Sequence, residues 1–434
     1  MKRKIFLLIL LLFPFLIIPN VPIKTAIANG IKINCEIRNN ELESRILETD
    51  LKIRKLNRYF TINGSGNYLY RSEKISIKLP DMEIAPGMII PGKEIGGGTN
   101  HIYDLSLSVF QPIFTGNALS GLVKMNNIRK SLNLSNRKFL ELMLSGRIKS
   151  VFFNHQMLAS QIRSLETLEK KITNHLDRLE DLYNEDLAGK SQVLETRLKQ
   201  SEIELSKEEI QNSINILSST FMELTGYRLN NIEKKYSEPI KDQKTLMKLF
   251  LLNHPKMMML SDQKKIIRIN KKITRGKDLP HIGGFAELHY GMPGINFLNN
   301  EWTSYFQGGL EVKINVFNWG LNRKENIINN YNIEKISNKE KDLVKKTRLR
   351  LAELFNTLKS LNVKIATFKK MISISEEESE LKKTLFNEKQ ISNKDYLDSL
   401  LNVESLRSLR DKTSLQSELI KVEINTMIGN KEEK

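Results

Sequence analysis

The chain has 434 residues, a length that ordinarily corresponds to about two or three globular domains. Its 68 basic and 50 acidic residues give a formal net charge of +18, which suits nucleic acid, anionic lipid or an acidic protein as a partner. The single cysteine, Cys35, excludes an intramolecular disulfide framework and any metal site built from several cysteines. Because Ile33 and Asn34 precede it rather than small residues, we do not expect a lipid anchor and interpret Cys35 as incidental.

The N-terminus has the pattern of an export signal. Basic residues at positions 2–4 precede an apolar run over residues 5–18, and the small-residue pattern AIA ends at Ala28. This pattern predicts a signal peptide over residues 1–28, cleaved before Asn29, and an uncleaved membrane anchor is the alternative. Because the chain leaves the cytoplasm in either case, no nucleic acid partner is expected, and we interpret the basic residues as a solvated helix surface. After Ala28 no stretch approaches the roughly 20 apolar residues of a spanning helix, so the mature chain either stays soluble or enters a membrane as β-strands.

An N-terminal segment over residues 29–57 precedes a first strand pair within residues 58–116. The sequence RYFTINGSGNYLY at 58–70 supplies one strand candidate. The second candidate, LSLSVFQPIF, places a row of apolar side chains on one face of a half-buried strand: Leu105, Leu107, Val109 and Ile113. The Gly- and Pro-rich stretch between the two, LPDMEIAPGMIIPGKEIGGGTN, predicts a surface loop.

A first helical hairpin is predicted over residues 117–226. From Ala118 to about Tyr183 there is no proline, and apolar residues recur at helical spacing. At 1.5 Å per residue such a helix spans on the order of 100 Å, which indicates a coiled coil or a helical barrel rather than a globular core. The pattern pauses around EDLAGKSQ, resumes, and stops at Gly226, a residue that favours a helix end.

An intermediate segment and a helix are predicted over residues 227–278. Eight basic residues lie between Lys256 and Lys277, against one acidic residue, Asp262. On a helix these side chains cannot all face a core. Two interpretations stay open: an exposed outer face, and a docking surface for an acidic protein partner.

A second strand pair is predicted within residues 279–320. HIGGFAELHYG at 281–291 is followed by SYFQGGLEVKINVFN, in which residues 304–317 alternate between an apolar and a polar face. The apolar face carries Phe306, Gly308, Leu310, Val312, Ile314 and Val316. Aromatic residues gather where the strands meet the loops, namely Tyr68, Tyr70, Tyr103, Tyr290, Trp302, Tyr305 and Phe306. The strands are interpreted either as membrane strands with an interfacial aromatic belt or as two soluble hairpins packed against helices.

A second helical hairpin is predicted over residues 321–429, followed by a tail at 430–434. Its tip, LFNEKQISNKDYLDSLL, is a near-copy of LYNEDLAGKSQVLETRL, with an offset of 203 residues from Leu182 to Leu385. The chain therefore contains a strand pair and a hairpin twice. Four strands cannot close a barrel and lipid does not tolerate open sheet edges, so membrane insertion would require oligomers, and three copies would supply twelve strands.

The order of these patterns resembles the TolC-type outer membrane efflux protein family of double-membraned bacteria, from about Ser44 to Gly429. LSVFQPIFTGN and LEVKINVFNWGLN are similar to the family's strand-to-helix junctions, NHPKMMML to the helix start that opens its second half, and DLPHIGGFAELHYG to the strand after it. The resemblance implies a mainly α fold with a small membrane β part. It implies a homotrimer with a twelve-stranded outer-membrane β-barrel continued by an α-helical barrel, and it assigns residues 29–57 and 227–245 to an equatorial region.

For function, the resemblance implies a passive exit duct for efflux or type I secretion, set in outer-membrane lipid with its helical part in the periplasm. Substrate would come from an inner-membrane pump of the RND, ABC or MFS type through a periplasmic adaptor protein. Neither enzymatic activity nor a cofactor is expected, because the six histidines show no metal spacing and no phosphate-binding or Ser, His and acid pattern is found. The rival is an exported periplasmic or surface coiled-coil scaffold or adhesin without a pore. The two-faced strand at 304–317 favours the channel, because a scaffold has no need of it.

In this family, acidic side chains on the second tip helix form a ring at the periplasmic entrance. The resemblance assigns that position to Asp395 and Asp398, three residues apart on one helix face, with Glu195 as the equivalent of Asp398 in the first repeat. In a trimer, Asp395 and Asp398 would give six carboxylates around one axis, which favours cations in a narrow pore. The alternative is that both aspartates are merely solvated near a helix start, where carboxylates are favoured.

The best-known members of the family hold the tip closed with a tyrosine and an arginine bonded to an aspartate of the neighbouring hairpin. The corresponding positions in this sequence are Phe386, Ile391 and Gln192. Because these residues cannot form the same bonds, we expect closure to depend on other contacts, with apolar ones through Ile391 as the candidate.

Overall fold

The computed structural model describes residues 21–234, 236–296 and 299–430. Most of the predicted signal peptide (residues 1–20) and most of the predicted tail (431–434) therefore lie outside the described residues. The chain divides into two compact units. The helical unit comprises the residues up to Glu41, Ser135–Met258 and the residues from Lys341 onward, and the sheet unit comprises Leu42–Leu134 and Met259–Glu340.

Long helices dominate the secondary structure. The α-helices are α1 (Ile23–Ile33), α2 (Cys35–Leu56), α3 (Ala118–Asn184), α4 (Lys190–Thr225), α5 (Gln243–Asn253), α6 (Pro255–Gly276), α7 (Leu321–Asn387) and α8 (Asn393–Ile428). Helices α3 and α7 have 67 residues each, α4 and α8 have 36 each, and every bound of the second pair follows the first by 203 residues. The predicted duplication of a long helical hairpin is confirmed. Within the described parts of the chain, no helix is long and apolar enough to cross a membrane.

The two hairpins share the same backbone conformation at their ends and in the turns at their tips. Gly226 and Gly429 follow α4 and α8 with φ of 74° and 75°, in the left-handed region that glycine adopts without a steric cost. In the turns between the paired helices, Asp186 and Lys389 have φ of 59° and 61°. These two residues are also 203 positions apart, so the repeat extends to the backbone conformation of the turns.

The remaining regular structure is β-sheet. The strands are β1 (Thr61–Tyr70), β2 (Ile75–Lys78), β3 (Met82–Ala85), β4 (Met88–Ile90), β5 (Glu94–Gly97), β6 (His101–Thr115), β7 (His281–Met292) and β8 (Thr303–Lys313). Four of them form one antiparallel sheet in the order β1-β6-β7-β8. The sheet therefore joins the two predicted strand pairs through β6 and β7, and β1 and β8 are its edges.

Strand β8 is shorter than the predicted strand at 304–317. It ends at Lys313, which pairs with His281, the first residue of β7. Ile314 and Val316 continue the alternating pattern but follow the end of the strand, because β7 supplies no partner beyond His281. In β6 the pairing shifts between Pro112 and Phe114, where the proline has no N–H to donate to the ladder.

The four-stranded sheet has one apolar and one polar face, as the alternation predicts. Cross-strand rows such as Gly64–Leu107–Leu288–Phe306 carry the apolar side chains. The neighbouring row Ser65–Ser106–His289–Tyr305 carries polar and aromatic side chains on the opposite face. The apolar face is exposed in the single chain, with Phe306 at 71% and Leu310 at 72% of full exposure.

The predicted loop between β1 and β6 instead contains four short strands, which is a correction to the sequence-based expectation. Strand β2 pairs with β5 and β3 pairs with β4, so residues 75–97 form a two-stranded ribbon. Gly87, with φ of 86°, lies in the turn between β3 and β4. Glycine and proline flank strands of only three or four residues here, too short for alternation to be recognised.

A hydrophobic core in the helical unit includes the first described helix. Ile23 and Ala26 of α1 are buried in a cluster with Phe152, Phe153 and Phe221. The predicted cleavage point after residue 28 lies inside α1, so cleavage there would remove both residues from this core.

Candidate functional site

The tips of the two hairpins pack against each other within the helical unit. An apolar cluster combines Leu168 and Ile172 of α3 with Tyr396, Leu397 and Leu400 of α8. Phe386, near the end of α7, and Ile391, in the second turn, pack against this cluster. The cluster therefore fixes the second tip against the first by apolar contacts.

Asn393, the first residue of α8, bonds to both arms of the first hairpin. Its side-chain Nδ2 donates to Glu195 Oε2 at 3.1 Å, to Thr196 Oγ1 at 3.3 Å and to the carbonyl oxygen of Gln192 at 3.5 Å, all on α4. Its Oδ1 lies 2.6 Å from Nε2 of His175 on α3. Because an amide oxygen can only accept, Nε2 of His175 carries the proton in this arrangement.

His175 is buried between two aromatic rings. Its ring centroid lies 5.2 Å from that of Phe386 and 4.9 Å from that of Tyr396, both in edge-on geometry. Burial lowers the pKa of His175, the hydrogen bond to Asn393 opposes that shift, and the charge of Arg178 adds to it. The neutral imidazole is therefore favoured, in agreement with its role as a single-proton donor to Asn393.

Asp395 belongs to a capping box at the start of α8. The hydroxyl of Ser392 accepts from the backbone N–H of Asp395 at 3.1 Å, and the Ser392 backbone N–H donates to the Asp395 carboxylate at 3.2 Å. The Ser392 hydroxyl also donates to this carboxylate at 2.6 Å. These bonds from the Ser392 side chain and backbone lower the pKa of Asp395 and keep it ionised. Asp395 thus stabilises the helix start whether or not it also lines a pore.

Asp398 is exposed one turn further along α8, and Glu195 is partly buried beside Asn393. Two lysines, Lys199 and Lys382, interact electrostatically with these acidic residues. Glu202 raises the pKa of Lys199 most strongly, with smaller contributions from Asp398 and Glu195. Glu378 likewise raises the pKa of Lys382, with smaller contributions from Asp395 and Asp398. Asp398 thus acts on both lysines, whereas Glu195 and Asp395 act on one each, so cations of the same chain partly compensate the three predicted acidic residues.

An ion-pair network crosses the helices behind the tip. The buried carboxylate of Glu404 on α8 accepts from Lys171 of α3 at 2.9 Å and from Arg407 at 2.8 Å. Arg407 also pairs with Glu376 of α7. Lys171, Arg407 and Glu376 border a cavity of about 480 Å³ that is also lined by His175 and Phe386. Among the described residues, no group of three or more His, Cys, Asp or Glu side chains is placed to hold a metal ion.

Comparison with known proteins gives matches in structure but none in sequence. No protein-family model matches the chain, and no curated protein sequence matches it. Three solved structures illustrate the structural matches. CusC, a protein that forms a transmembrane channel, is 12% identical to this chain with a TM-score of 0.76. The match covers 95% of this chain and 93% of CusC.

The outer membrane protein VceC from Vibrio cholerae has 12% identity and a TM-score of 0.71, with 94% of this chain and 95% of that chain covered. The CmeC outer membrane channel of Campylobacter jejuni has 12% identity and a TM-score of 0.68, with 94% and 85% covered. The chain has the fold of these outer membrane channels. The fold that the sequence resemblance implies for one chain, a duplicated strand pair and long helical hairpin, is therefore confirmed.

Within this channel fold, the residues predicted at the tip are brought together. Phe386 and Ile391 both contribute to apolar packing, and Gln192 contributes its backbone carbonyl to the bonds of Asn393. The sequence interpretation missed His175 and Asn393. The duplication does not reveal them, because the positions 203 residues away are Glu378 and Lys190, which cannot form the same bond.

Proposed function

We propose that the chain is the outer-membrane exit duct of a tripartite efflux or type I secretion system. It conducts substrate passively to the outside from an inner-membrane pump of the RND, ABC or MFS type and a periplasmic adaptor. The observation that carries this proposal is the four-stranded sheet, which combines an exposed apolar face with two open edges.

The exposed apolar face suits lipid rather than water. Leu107, Leu288, Phe306, Leu310 and Val312 are each at least half exposed on this face. A contiguous apolar surface of this kind on a single chain indicates an interaction with a membrane or another protein. In a bilayer, these side chains contact acyl chains without a desolvation cost.

The open edges require other copies of the chain. The backbone N–H and C=O groups of an edge strand cannot remain unpaired in lipid. If β1 of one copy pairs with β8 of the next, three copies form a closed sheet of twelve strands. Homotrimer formation therefore satisfies both edges at once.

The ends of the strands have the aromatic residues expected near headgroups. The ring of Trp302 lies 5.0 Å from that of Tyr290 and 5.8 Å from that of Tyr103, and Tyr68 lies 5.2 Å from Tyr103. Tyr and Trp at this position favour the membrane interface. In a scaffold without a pore, neither this cluster of aromatic residues nor the exposed apolar face of the sheet would have a function.

The polar face of the sheet suits an aqueous lumen. The hydroxyls of Ser65 and Ser106 share a hydrogen bond of 2.6 Å, and His289 Nδ1 lies 3.0 Å from the Asp104 carboxylate. Gln307 Nε2 donates to the Glu287 carboxylate. These partners remain available to water and to passing substrate when the opposite face contacts lipid.

We further propose that Asp395, Asp398 and Glu195 give the periplasmic entrance a preference for cations. Their carboxylates lie in one charged patch, and three copies repeat this patch around the channel axis. Asp398 is the clearest candidate, because Asp395 is also engaged by Ser392 and Glu195 by Asn393.

The test is the reversal potential of the purified protein in a planar bilayer under a salt gradient. We expect discrete conductance steps with a cation preference, which the double variant Asp395→Asn and Asp398→Asn reduces. Glu209→Gln, an exposed carboxylate change on α4 away from the tip, serves as the control and should leave the preference unchanged. Absence of conductance would reject the duct, whereas unchanged selectivity in the double variant would reject only the acidic filter.

A further inference from the structure

A pocket with a basic rim lies in the sheet unit between the start of α3 and the end of α6. Its volume is about 510 Å³. Its rim carries the exposed cations Lys124, Lys272 and Arg275, and its apolar wall carries Ile269, Ile273 and Leu279. We refer to this cavity, defined by these six residues, as the basic pocket.

Small residues allow the two helices to approach each other beside the basic pocket. Gly116 and Gly276 are so close that a Cβ on either would overlap the carbonyl oxygen of the other. A Cβ at Gly121 would likewise collide with the side chain of Ile273. The close backbone approach at Gly116 and Gly276, and the packing of Ile273 against Gly121, therefore fix the spacing of the elements on either side of the pocket.

The eight basic residues from Lys256 to Lys277 fall into two groups, and the first group has partners within the chain. Lys264 pairs with Glu340, Lys265 with Asp262 and Lys277 with Glu325, Lys271 donates to Asn330, and Lys256 lies over the ring of Phe139.

The other three basic residues of this segment are Arg268, Lys272 and Arg275. Among the described residues, no carboxylate pairs with Lys272, Arg275 or the nearby Lys124. The rim of the basic pocket therefore holds three cationic side chains that form no ion pair with the described residues.

The basic pocket lies beside the end of β6 and the start of β7, and this position indicates what the pocket could bind. Strand β6 ends at Thr115, just before the pocket residues of α3, and β7 begins at His281, just after Leu279. Leu279 is itself 41% exposed. If β6 and β7 enter a membrane, the basic pocket lies where the lipid acyl chains meet the headgroups.

Aromatic residues mark the same end of the sheet. Phe317 and Trp319, just after β8, form an edge-on pair with ring centroids 4.8 Å apart and are 68% and 87% exposed. Asn318 between them donates to Asp278, the neighbour of Leu279, at 3.3 Å. Exposed Trp side chains are typical of the membrane interface.

We propose that the basic pocket binds an anionic phospholipid of the leaflet next to it. Lys124, Lys272 and Arg275 contact the phosphate oxygens of the headgroup, where arginine can form two parallel bonds. One acyl chain lies along Ile269, Ile273 and Leu279. Basic pockets at a membrane surface commonly recognise such headgroups. This inference rests on the proposed function, because it needs the strands in a bilayer.

The test is lipid retention by the detergent-purified protein, measured by native mass spectrometry after addition of phosphatidylglycerol or phosphatidylethanolamine. The pocket variant is Lys272→Gln with Arg275→Gln. The matched control is Lys271→Gln with Lys277→Gln, which removes the same charge from the same end of α6 outside the pocket. We expect wild type and control to bind phosphatidylglycerol in preference to phosphatidylethanolamine, and the pocket variant to bind phosphatidylglycerol about tenfold more weakly.

Three results would overturn the lipid site: equal retention of phosphatidylglycerol by the pocket and control variants, equal retention of the two lipids by wild type, or complete displacement of the lipid by millimolar inorganic phosphate. Loss of a co-purified acidic protein from the pocket variant, with lipid retention unchanged, would assign the rim to a protein partner instead.

Conductance is measured on the same samples. A wild-type protein that fails to insert would count against the proposed function itself, whereas normal conductance without lipid preference would count against this inference alone.

Discussion

Nε2 of His175 donates to Oδ1 of Asn393 over 2.6 Å, and this bond joins α3 of the first hairpin to the first turn of α8 in the second. The tyrosine and arginine bonds that the family resemblance suggests at the tip have no equivalent at Phe386, Ile391 and Gln192. In this chain the amide of Asn393 and the apolar cluster around it join the two tips instead.

Removing this amide should loosen the tip. We expect Asn393→Ala to raise the open probability or the mean conductance of bilayer-inserted protein several-fold, because the protonated Nε2 of His175 and the carboxylate of Glu195 lose a partner in a partly buried setting. The control is Asn402→Ala on the same helix, which removes a 3.1 Å bond to Ser375 away from the turn. Identical conductance in wild type, control and Asn393→Ala would show that this amide does not hold the entrance.

The buried ion pair between Lys149 and Glu238 should be important for the stability of the helical unit. Glu238 is 1% exposed at its side chain and lies 2.9 Å from Lys149 Nζ, and it also accepts from Tyr236 and Asn425. We expect Glu238→Ala to cost about 3–5 kcal/mol, because the Lys149 ammonium loses its carboxylate in a buried setting. Thermal unfolding should recover in part when Lys149→Met is added, and a double variant no more stable than Glu238→Ala would contradict this interpretation.

Acid should weaken the packing around the start of α6. Burial lowers the pKa of His254 to about 4, with a further contribution from Lys256, and Nδ1 of His254 accepts from the Lys256 backbone N–H. The unfolded chain therefore takes up a proton near pH 6.5 that the folded chain excludes until about pH 4. This contribution to stability is complete above about pH 6.5 and is lost as the pH falls toward 4, amounting to at most about 3–4 kcal/mol.

His254→Asn keeps an acceptor for the Lys256 N–H but removes the titration. The loss of thermal stability between pH 6.5 and 4 should be smaller in this variant than in wild type. Part of the pH dependence should remain, because burial also lowers the pKa values of His155 and His175. An unchanged pH dependence in His254→Asn would exclude His254 as a contributor.

The burial of Ile23 and Ala26 makes a prediction about the mature N-terminus. Both side chains lie in the core around Phe152 and Phe221, and the backbone N–H of Val21 donates to Asn231 at 2.7 Å. We expect N-terminal sequencing of protein purified from the cell envelope to begin at or before Val21. A sequence that begins at Asn29, as the AIA pattern predicts, would contradict the role of these residues in the core.

The long helical hairpins could be predicted because their signal is both extended and repeated. Periodicity over 67 residues, turns 203 positions apart and a terminal glycine at Gly226 and Gly429 all indicate the same structure. The end of β8 could not be predicted, because the alternating pattern runs on past Lys313 and only the start of β7 at His281 ends the pairing. Local sequence does not contain that partner.

Contacts between the tips were beyond prediction for a related reason. The pair of His175 and Asn393 is separated by 218 positions, and neither residue type is unusual at its place in a helix. Asp395 could be identified as an acidic residue near a helix start, but its bonds to Ser392 give it a capping role that the family resemblance did not suggest. Asp398 is therefore the better test of an acidic entrance.

The central claim is that three chains close one sheet through the edges of β1 and β8, and cysteine cross-linking in native membranes tests it most directly. In a Cys35→Ser background, paired substitutions at Asn63 or Ser65 of β1 and Tyr305 or Gln307 of β8 are oxidised, with each single substitution as its own control. We expect at least one pairing to give covalent dimers and trimers and no larger species. Only monomers from every pairing, in membranes that contain the folded protein, would contradict the claim.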